Sequence, residues 1–202
     1  MKSHLIIVES PSKIKTLKKF LDKKYEVEAS VGHIRDLPKS KLGIDVDKDF
    51  SAEYQVSTGS TKTVQALKKA LKNAEELYIA TDPDREGEAI AWHIVDELKP
   101  KIPVKRLVFN EITKTAILNS FKKTREIDAN LVDAQETRRF LDRLFGFMVS
   151  EKMWRNMKSG VSAGRVQSPA VKILVDREKE RGQFKQNEYW SISSEFNSGD
   201  GI

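Results

Sequence analysis

Hydrophobic residues follow two alternating patterns over roughly the first 125 residues. Short apolar runs, such as residues 5–8 and 77–81, are typical of buried strands. Between them, apolar residues recur every three or four positions, as in helices with one buried face. This alternation predicts an α/β fold, with a mostly parallel sheet covered by helices on both faces. The predicted strands are 5–8, 25–29, 77–81 and 104–109, and the predicted helices are 13–21, 62–71, 86–98 and 113–121.

The pattern changes near residue 125. From 128 to 181 no segment alternates as a strand would, and apolar residues recur at helical spacing instead. A break at 158–160 precedes a long predicted helix at 166–180, and alternation returns at 189–193, which indicates a strand. We therefore expect an α/β domain at 1–125, part of a helical domain at 126–187, and the start of a further β-containing domain at 188–202, truncated in this chain.

Composition narrows the class of protein. The chain has 202 residues, of which 39% are hydrophobic and 33% charged, so a polar globular protein is expected. No apolar run is long enough to span a membrane, and the first one is too short for a signal peptide. The absence of cysteine excludes disulfides, thiolate metal sites and cysteine nucleophiles. We expect a cytoplasmic protein.

The net charge of +6 lies entirely within residues 1–125. A basic excess suits binding to a polyanion such as nucleic acid. However, many of the lysines, including Lys15, Lys18 and Lys19, lie on the predicted exposed face of a helix. A solvated helix face explains them equally well.

Acidic residues cluster after two predicted strands. Asp82, Asp84 and Glu86 follow the strand at 77–81 at alternate positions, and Glu9 follows the first strand. Because the carboxyl ends of parallel strands meet at one edge of a sheet, these four carboxylates are expected to lie together. Carboxylate oxygens are hard ligands that hold Mg²⁺ next to phosphate. Crowded carboxylates also have raised pKa values unless a cation compensates.

Helix capping offers another explanation of the same acids. Asp82 could cap a helix whose first residue is Pro83, which lacks the N–H that would go unpaired there. The positive end of the helix dipole would then stabilise the negative charges of Asp84, Glu86 and Glu88. Capping accounts for each acid singly, but not for the motifs elsewhere in the chain.

Two basic residues are candidates for the same site. Lys13 lies one helical turn after Glu9, at a helix amino end, where a phosphate oxygen would be well placed. His33 lies in a loop in which Gly32 permits close approach of the backbone. A solvated lysine and a structural histidine are the alternatives.

The helical unit holds a second group of candidates. Arg138, Arg139, Asp142 and Arg143 recur on successive turns and form either a surface ion-pair network or a binding face. The sequence SAGRVQS at 162–168 places small residues, an arginine and a glutamine at a helix start, which suits contact with phosphate. Upstream, Trp154 beside Arg155 is suited to stacking on an unpaired base.

Four segments together resemble a known family. IVESPSK at 7–13, GHIRDLP at 32–38, ATDPDREGEAIA at 80–91 and GVSAGRVQS at 160–168 occur in an order and spacing similar to the amino-terminal part of bacterial type IA DNA topoisomerases. The resemblance covers nearly the whole chain. The acidic motif alone would indicate only a Toprim fold, which primases and some nucleases share. The histidine loop and the GRVQS segment narrow the resemblance to the topoisomerases among these classes.

The resemblance implies a Toprim domain, part of the helical domain that lines a single-strand groove, and Mg²⁺-dependent relaxation of negatively supercoiled DNA. Glu9 would assist proton transfer and help to hold Mg²⁺. Asp82 and Asp84 would bind Mg²⁺ with support from Glu86, and Lys13 would stabilise charge on the scissile phosphate. The implied contacts with single-stranded DNA are His33, Arg138, Arg139, Asp142, Phe147, Trp154, Ser162, Ala163, Gly164, Arg165, Val166 and Gln167.

The sequence departs from the family pattern in two places. The family's nucleophilic tyrosine lies in a later domain, and none of the four tyrosines here has its setting. We therefore expect a monomeric chain that binds Mg²⁺ and single-stranded DNA at the nucleoid without cleaving DNA. Phe147 stands where relatives often carry tyrosine, so any hydroxyl contact there is lost.

Two other classes remain open from the sequence. One is a Toprim-type nuclease or primase-like protein, in which the acidic site performs Mg²⁺-dependent chemistry without a tyrosine. The other is a binding module in which the acids are only structural.

Overall fold

A four-stranded parallel sheet forms the centre of the computed structural model, which describes residues 3–157, 160–197 and 199. The elements in chain order are β1 (Ser3–Val8), α1 (Pro11–Phe20), β2 (Tyr25–Ala29), β3 (Arg35–Asp36), β4 (Ile44–Asp45), β5 (Ser51–Ala52), β6 (Gln55–Val56), α2 (Thr61–Leu71), β7 (Ala74–Ile79), α3 (Arg85–Leu98), β8 (Val104–Arg106), α4 (Lys114–Lys122), α5 (Ala129–Asn156) and α6 (Gln167–Gln183). The sheet order is β2-β1-β7-β8, and every pair is parallel. The predicted α/β fold is confirmed.

Helices cover both faces of this sheet, so it separates two apolar cores. Successive side chains of a strand point to opposite faces, so β1 contributes side chains to both cores. Leu5 and Ile7 pack beneath α2 and α3, whereas Ile6 and Val8 pack beneath α1 and α4. All four side chains are fully buried, so β1 is fixed firmly at the centre.

Residues 30–59 form two small antiparallel strand pairs. Strand β3 pairs with β6, and β4 pairs with β5. Ile34 and Val56 pack on the core beneath α2 and α3. This anchoring holds the histidine loop against the main sheet.

The helical unit begins with α5, a 28-residue helix that packs against α3. Its buried residues are Val132, Gln135 and Ser150, whereas α6 buries none. The predicted helical character of this unit is confirmed. Within the described residues, no helix is long and apolar enough to cross a membrane.

The strand predicted at 189–193 is wrong for the structure described here. Residues 184–197 contain no helix or strand, and their side chains are exposed. An alternating segment forms a strand only when a neighbour pairs with its backbone, and the described residues offer none. Lys158 and Ser159 of the predicted break, and residues 198 and 200–202 of the predicted third unit, lie outside the described residues.

We predict that Leu77→Ala destabilises the fold by about 2–5 kcal/mol, because it leaves a cavity at a fully buried position in the central sheet. Urea unfolding followed by circular dichroism would measure the loss. The matched control is Leu174→Ala on α6, where the side chain is 69% exposed. That change should alter the free energy of unfolding by about 0.5 kcal/mol or less. Equal losses at the two positions would contradict the prediction.

Candidate active site at the carboxyl edge of the sheet

Glu9 and Asp82 meet at the carboxyl edge, as expected for residues that follow neighbouring parallel strands. Strands β1 and β7 are adjacent, and the Ala80 N–H continues their ladder by donating to Ile7 O at 2.8 Å. Lys13, in the first turn of α1, donates from Nζ to Glu9 Oε1 at 2.9 Å and also to Asp82 Oδ1. One ammonium group therefore bridges the two carboxylates.

The three groups change each other's proton affinity. Burial, and then the hydrogen bond with Asp82, raises the pKa of Glu9, although Lys13 opposes the rise. The hydrogen bond from Glu9, followed by Lys13, lowers the pKa of Asp82. Burial alone would lower the pKa of Lys13, but its bonds to Asp82 and Glu9 raise it. As the pH rises, Asp82 is therefore expected to lose its proton before Glu9.

Asp84 caps helix α3. Its Oδ1 accepts the Gly87 N–H at 2.7 Å, and the helix begins at Arg85. The prediction that Asp82 caps this helix is therefore wrong, and the cap is Asp84. Gly87 is required here, because a Cβ at this position would lie 2.0 Å from the carbonyl oxygen of Asp82. Thr81 Oγ1 also donates to Gly87 O at 2.6 Å, so the acidic loop folds back onto the start of the helix.

Glu86 turns away from the other acids towards the histidine loop. His33 Nε2 donates to Glu86 Oε1. The loop reaches this position through two residues with positive φ, Val31 at +58° and Gly32 at +80°. The Gly32 N–H donates to the carbonyl oxygen of Glu9 at 2.9 Å, which ties the loop to the end of β1.

The four predicted acids therefore occupy different positions along one edge. Glu9 and Asp82 share Lys13, Asp84 caps α3, and Glu86 bonds to His33. Within the described residues, no three histidine, aspartate or glutamate side chains are grouped as metal ligands. A metal site built from all four acids remains a prediction.

A buried ion pair behind this edge was missed from the sequence. Glu88 and Arg106 are both fully buried, and Arg106 Nε donates to Glu88 Oε1 at 2.9 Å. Arg106 also donates to the carbonyl oxygens of Ile79 at 3.0 Å, Leu107 at 2.7 Å and Asp82 at 2.8 Å. It therefore holds the backbone of the loop that carries Asp82.

Glu88 also reaches the beginning of the helical unit. Its Oε1 accepts from Arg125 Nη2, and its Oε2 accepts the Asp128 N–H at 3.1 Å. Asp128 is the N-cap of α5. The sequence signal was an acid in an apolar stripe, because Glu88 lies three and six residues before the buried Ala91 and Ile94.

Helix α5 also docks on the loop around β3. The Arg139 guanidinium binds both oxygens of Asp36, with Nη2–Oδ1 and Nη2–Oδ2 distances of 2.8 and 2.6 Å. Although burial raises the pKa of Asp36, Arg139 brings it below its usual value. Tyr54 donates its hydroxyl to Glu136 at 2.8 Å. Arg139 is therefore not part of a network confined to the helix surface.

Several of the predicted helical-unit residues line one cavity of about 740 Å³, which we call the α5 groove. Its lining includes Arg139, Asp142, Arg143, Phe147, Trp154 and Ser162. Arg143 lies over the Phe147 ring at 5.2 Å from its centroid.

Segment 162–168 closes one side of the α5 groove through several hydrogen bonds. Arg165 Nη2 donates to Asp142 Oδ2 at 3.1 Å, and the Ala163 N–H donates to Ser150 Oγ at 3.1 Å. Gln167 Nε2 donates to Ser162 Oγ at 3.1 Å, and the Gly164 N–H donates to Ser168 Oγ at 3.3 Å. Trp154 Nε1 donates to Val161 O, whereas Arg138 and Val166 lie exposed.

Comparison with known proteins agrees with this arrangement. The model of the Toprim domain matches residues 4–112, and the model of the DNA topoisomerase family matches residues 126–202. The structure of full-length topoisomerase I from Thermotoga maritima is 51% identical over 90% of this chain, with a TM-score of 0.78. The chain belongs to the bacterial type IA DNA topoisomerases. It spans 31% of the length of the Thermotoga protein.

Toprim domains generally bind a divalent metal, typically Mg²⁺. The residues at this Toprim edge fit such an ion, because Glu9 and Asp82 present hard oxygen donors side by side. Mg²⁺ commonly uses one or two carboxylates and completes its shell with water and phosphate. Burial and then the neighbouring Asp82 raise the pKa of Glu9, and a cation bound there would favour its ionised form.

We predict that Glu88→Gln destabilises the Toprim domain by about 3–5 kcal/mol, because it leaves the buried Arg106 without a carboxylate. Thermal or urea unfolding would measure the change. Glu97→Gln is a matched control on the same helix, since Glu97 pairs with Lys68 near the surface. It should cost about 1 kcal/mol or less. Similar losses for both variants would show that burial of the pair is unimportant.

We also predict that Glu9 releases its proton above the ordinary carboxyl pKa of 4.5. Carbon NMR of the Glu9 side chain across a pH titration would measure this. Asp82→Asn should lower the pKa of Glu9, because it removes an adjacent negative charge. Lys13→Met should raise it, because it removes the compensating cation. Shifts of the same sign in both variants would contradict the proposed coupling.

Proposed function

We propose that this chain supplies the Mg²⁺-binding and single-strand-binding parts of a topoisomerase that relaxes negatively supercoiled DNA by single-strand cleavage, strand passage and religation. The observation that carries the proposal is the Glu9–Lys13–Asp82 cluster, which lies at the Toprim edge while α5 packs against the same domain. A phosphate held at that edge would have its flanking strand directed towards the α5 groove.

The residues at the edge have distinct roles in this proposal. Lys13 donates to a non-bridging oxygen of the scissile phosphate and stabilises charge that develops there. Glu9, which retains its proton to higher pH than Asp82, is placed to act as the general acid for the leaving oxygen. Asp82, with Asp84 nearby and with Glu9 once it has given up its proton, would hold Mg²⁺, which would supply positive charge beside the phosphate. Glu86 accepts a hydrogen bond from His33 and so positions this side chain for contact with the DNA strand.

Single-stranded DNA is the proposed partner of the α5 groove. Arg139 and Arg143 line the groove and offer charge for phosphates, and Phe147 and Trp154 offer rings on which unpaired bases stack. Arg138 lies exposed on the same helix and would extend the contact along the strand. We propose that the protein acts as a monomer on the nucleoid in the cytoplasm.

The tyrosines of the chain support a proposal about cleavage. Tyr54 and Tyr78 donate their hydroxyls to Glu136 and Glu76, and burial raises the pKa of both groups. Tyr25 packs against Phe121 beneath the sheet, and Tyr189 is exposed in the segment after α6. We propose that strand cleavage needs a tyrosine outside these 202 residues, so that this chain alone binds DNA without cutting it.

We predict that Mg²⁺ binds the chain saturably when a single-stranded oligonucleotide is present, and that Asp82→Asn weakens this binding about tenfold or more by removing a charged ligand. Isothermal calorimetry would measure the affinities. Asp47→Asn, at an exposed position in the β4–β5 hairpin, is the matched control and should leave binding unchanged.

A plasmid assay separates the remaining classes. The chain should neither relax nor nick supercoiled DNA. Relaxation would contradict the need for an outside tyrosine, and Mg²⁺-dependent nicking would favour a Toprim nuclease or primase-like protein. Undiminished DNA binding without any Mg²⁺ binding would favour a module in which the acids are structural.

A further inference from the structure

A second cavity lies between the Toprim domain and α5. Its volume is about 250 Å³, and its lining includes His33, Tyr54, Glu86, His93, Gln135 and Arg139. Its floor comes from α3, and α5 contributes the opposite side. Glu86 is four residues after Asp82, so the cavity adjoins the carboxylate edge where a phosphate is proposed to bind.

His93 presents an unused donor to this cavity. The side chain is only 2% exposed, and its Nδ1 accepts from Arg35 Nε at 3.3 Å and from Nη2 at 3.2 Å. Because a guanidinium only donates, Nδ1 carries no proton and Nε2 carries the hydrogen. Within the described residues, Nε2 has no hydrogen-bond acceptor. Burial, and then Arg35, lowers the pKa of His93 to about 3, so the ring is neutral at physiological pH.

Gln135 presents a second unused group from the opposite side. It is 8% exposed on α5, and its amide makes no hydrogen bond to any described residue. A primary amide offers two donor hydrogens and an acceptor oxygen. Two buried polar side chains, one from each unit, thus have unused hydrogen-bonding capacity at one cavity.

The charges around the cavity disfavour an anion. Arg139 is paired with Asp36, Arg35 is paired with Asp96, and Glu86 adds a further carboxylate. No net positive charge remains for a phosphate. A neutral ligand with a donor and an acceptor side by side matches the groups that remain, and the ring of Tyr54 offers a flat wall.

We propose that this cavity receives one unpaired nucleobase of the bound DNA strand, next to the phosphate at the carboxylate edge. Gln135 would pair with the donor and acceptor on the base edge, and His93 Nε2–H would donate to a ring nitrogen or carbonyl oxygen. The base would leave the stack to enter, as unpaired bases do at low cost. This inference rests on the proposed binding of single-stranded DNA.

Two strands of equal length distinguish a base pocket from a phosphate site. One is an ordinary single-stranded oligonucleotide, and the other is fully abasic with the same number of phosphates. Fluorescence anisotropy gives the affinity of the chain for each. Gln135→Leu should weaken binding of the ordinary strand about tenfold, because buried hydrogen bonds to the base are lost, and should leave the abasic strand unaffected. Gln65→Leu, an equivalent change on the exposed face of α2, should affect neither.

NMR of the unaltered chain gives an answer that needs no variant. The side-chain amide signals of Gln135 should shift with the ordinary strand and stay in place with the abasic one. Equal effects of Gln135→Leu on both strands, together with unmoved amide signals, would overturn the base pocket while leaving the proposed function standing. Failure of the unaltered chain to bind the ordinary strand would overturn both.

Discussion

The arrangement of the site depends on one buried ion pair, Glu88 with Arg106. Burying two charges is costly, and such a pair adds little net stability compared with apolar side chains of similar volume. The pair is important because its charged groups hold the backbone of the acidic loop in place. Arg106 holds three backbone carbonyl oxygens, among them that of Asp82, so the acidic loop has one conformation. Only a guanidinium presents enough donors in a rigid plane to do this.

The same pair couples the two units of the chain. Glu88 accepts from Arg125 and from the backbone N–H of Asp128, where α5 begins. Further along α5, Arg139 binds Asp36 beside the histidine loop. The α5 groove is therefore anchored to the Toprim domain at two places. A displacement of α5 would therefore strain the hydrogen-bond network that holds the backbone at Asp82.

Local patterns in the sequence were enough to predict the central sheet, because each strand is a short apolar run and each helix has one apolar face. They also placed Glu9 and Asp82 at the same edge, since parallel strands direct their carboxyl ends alike. The cap was assigned to Asp82 instead of Asp84, because only Gly87 and the folded-back loop show which carboxylate reaches the helix N–H groups. The pairings of Glu88 and Arg139 escaped prediction because their partners are distant in sequence. The prediction of a strand at 189–193 is wrong, because an alternating sequence pattern does not by itself supply a neighbouring strand to pair with.

The division of labour among the acids follows from electrostatics. Had all four carboxylates converged, their mutual repulsion would have had to be offset by protons or cations. Instead, Asp84 accepts a hydrogen bond at the amino end of α3, and Glu86 accepts one from His33. Only Glu9 and Asp82 lie side by side, where burial and then Asp82 raise the pKa of Glu9 although Lys13 opposes the rise. The edge therefore presents two neighbouring carboxyl groups bridged by one lysine, which is the arrangement from which the proposed binding of a divalent cation and a phosphate is argued.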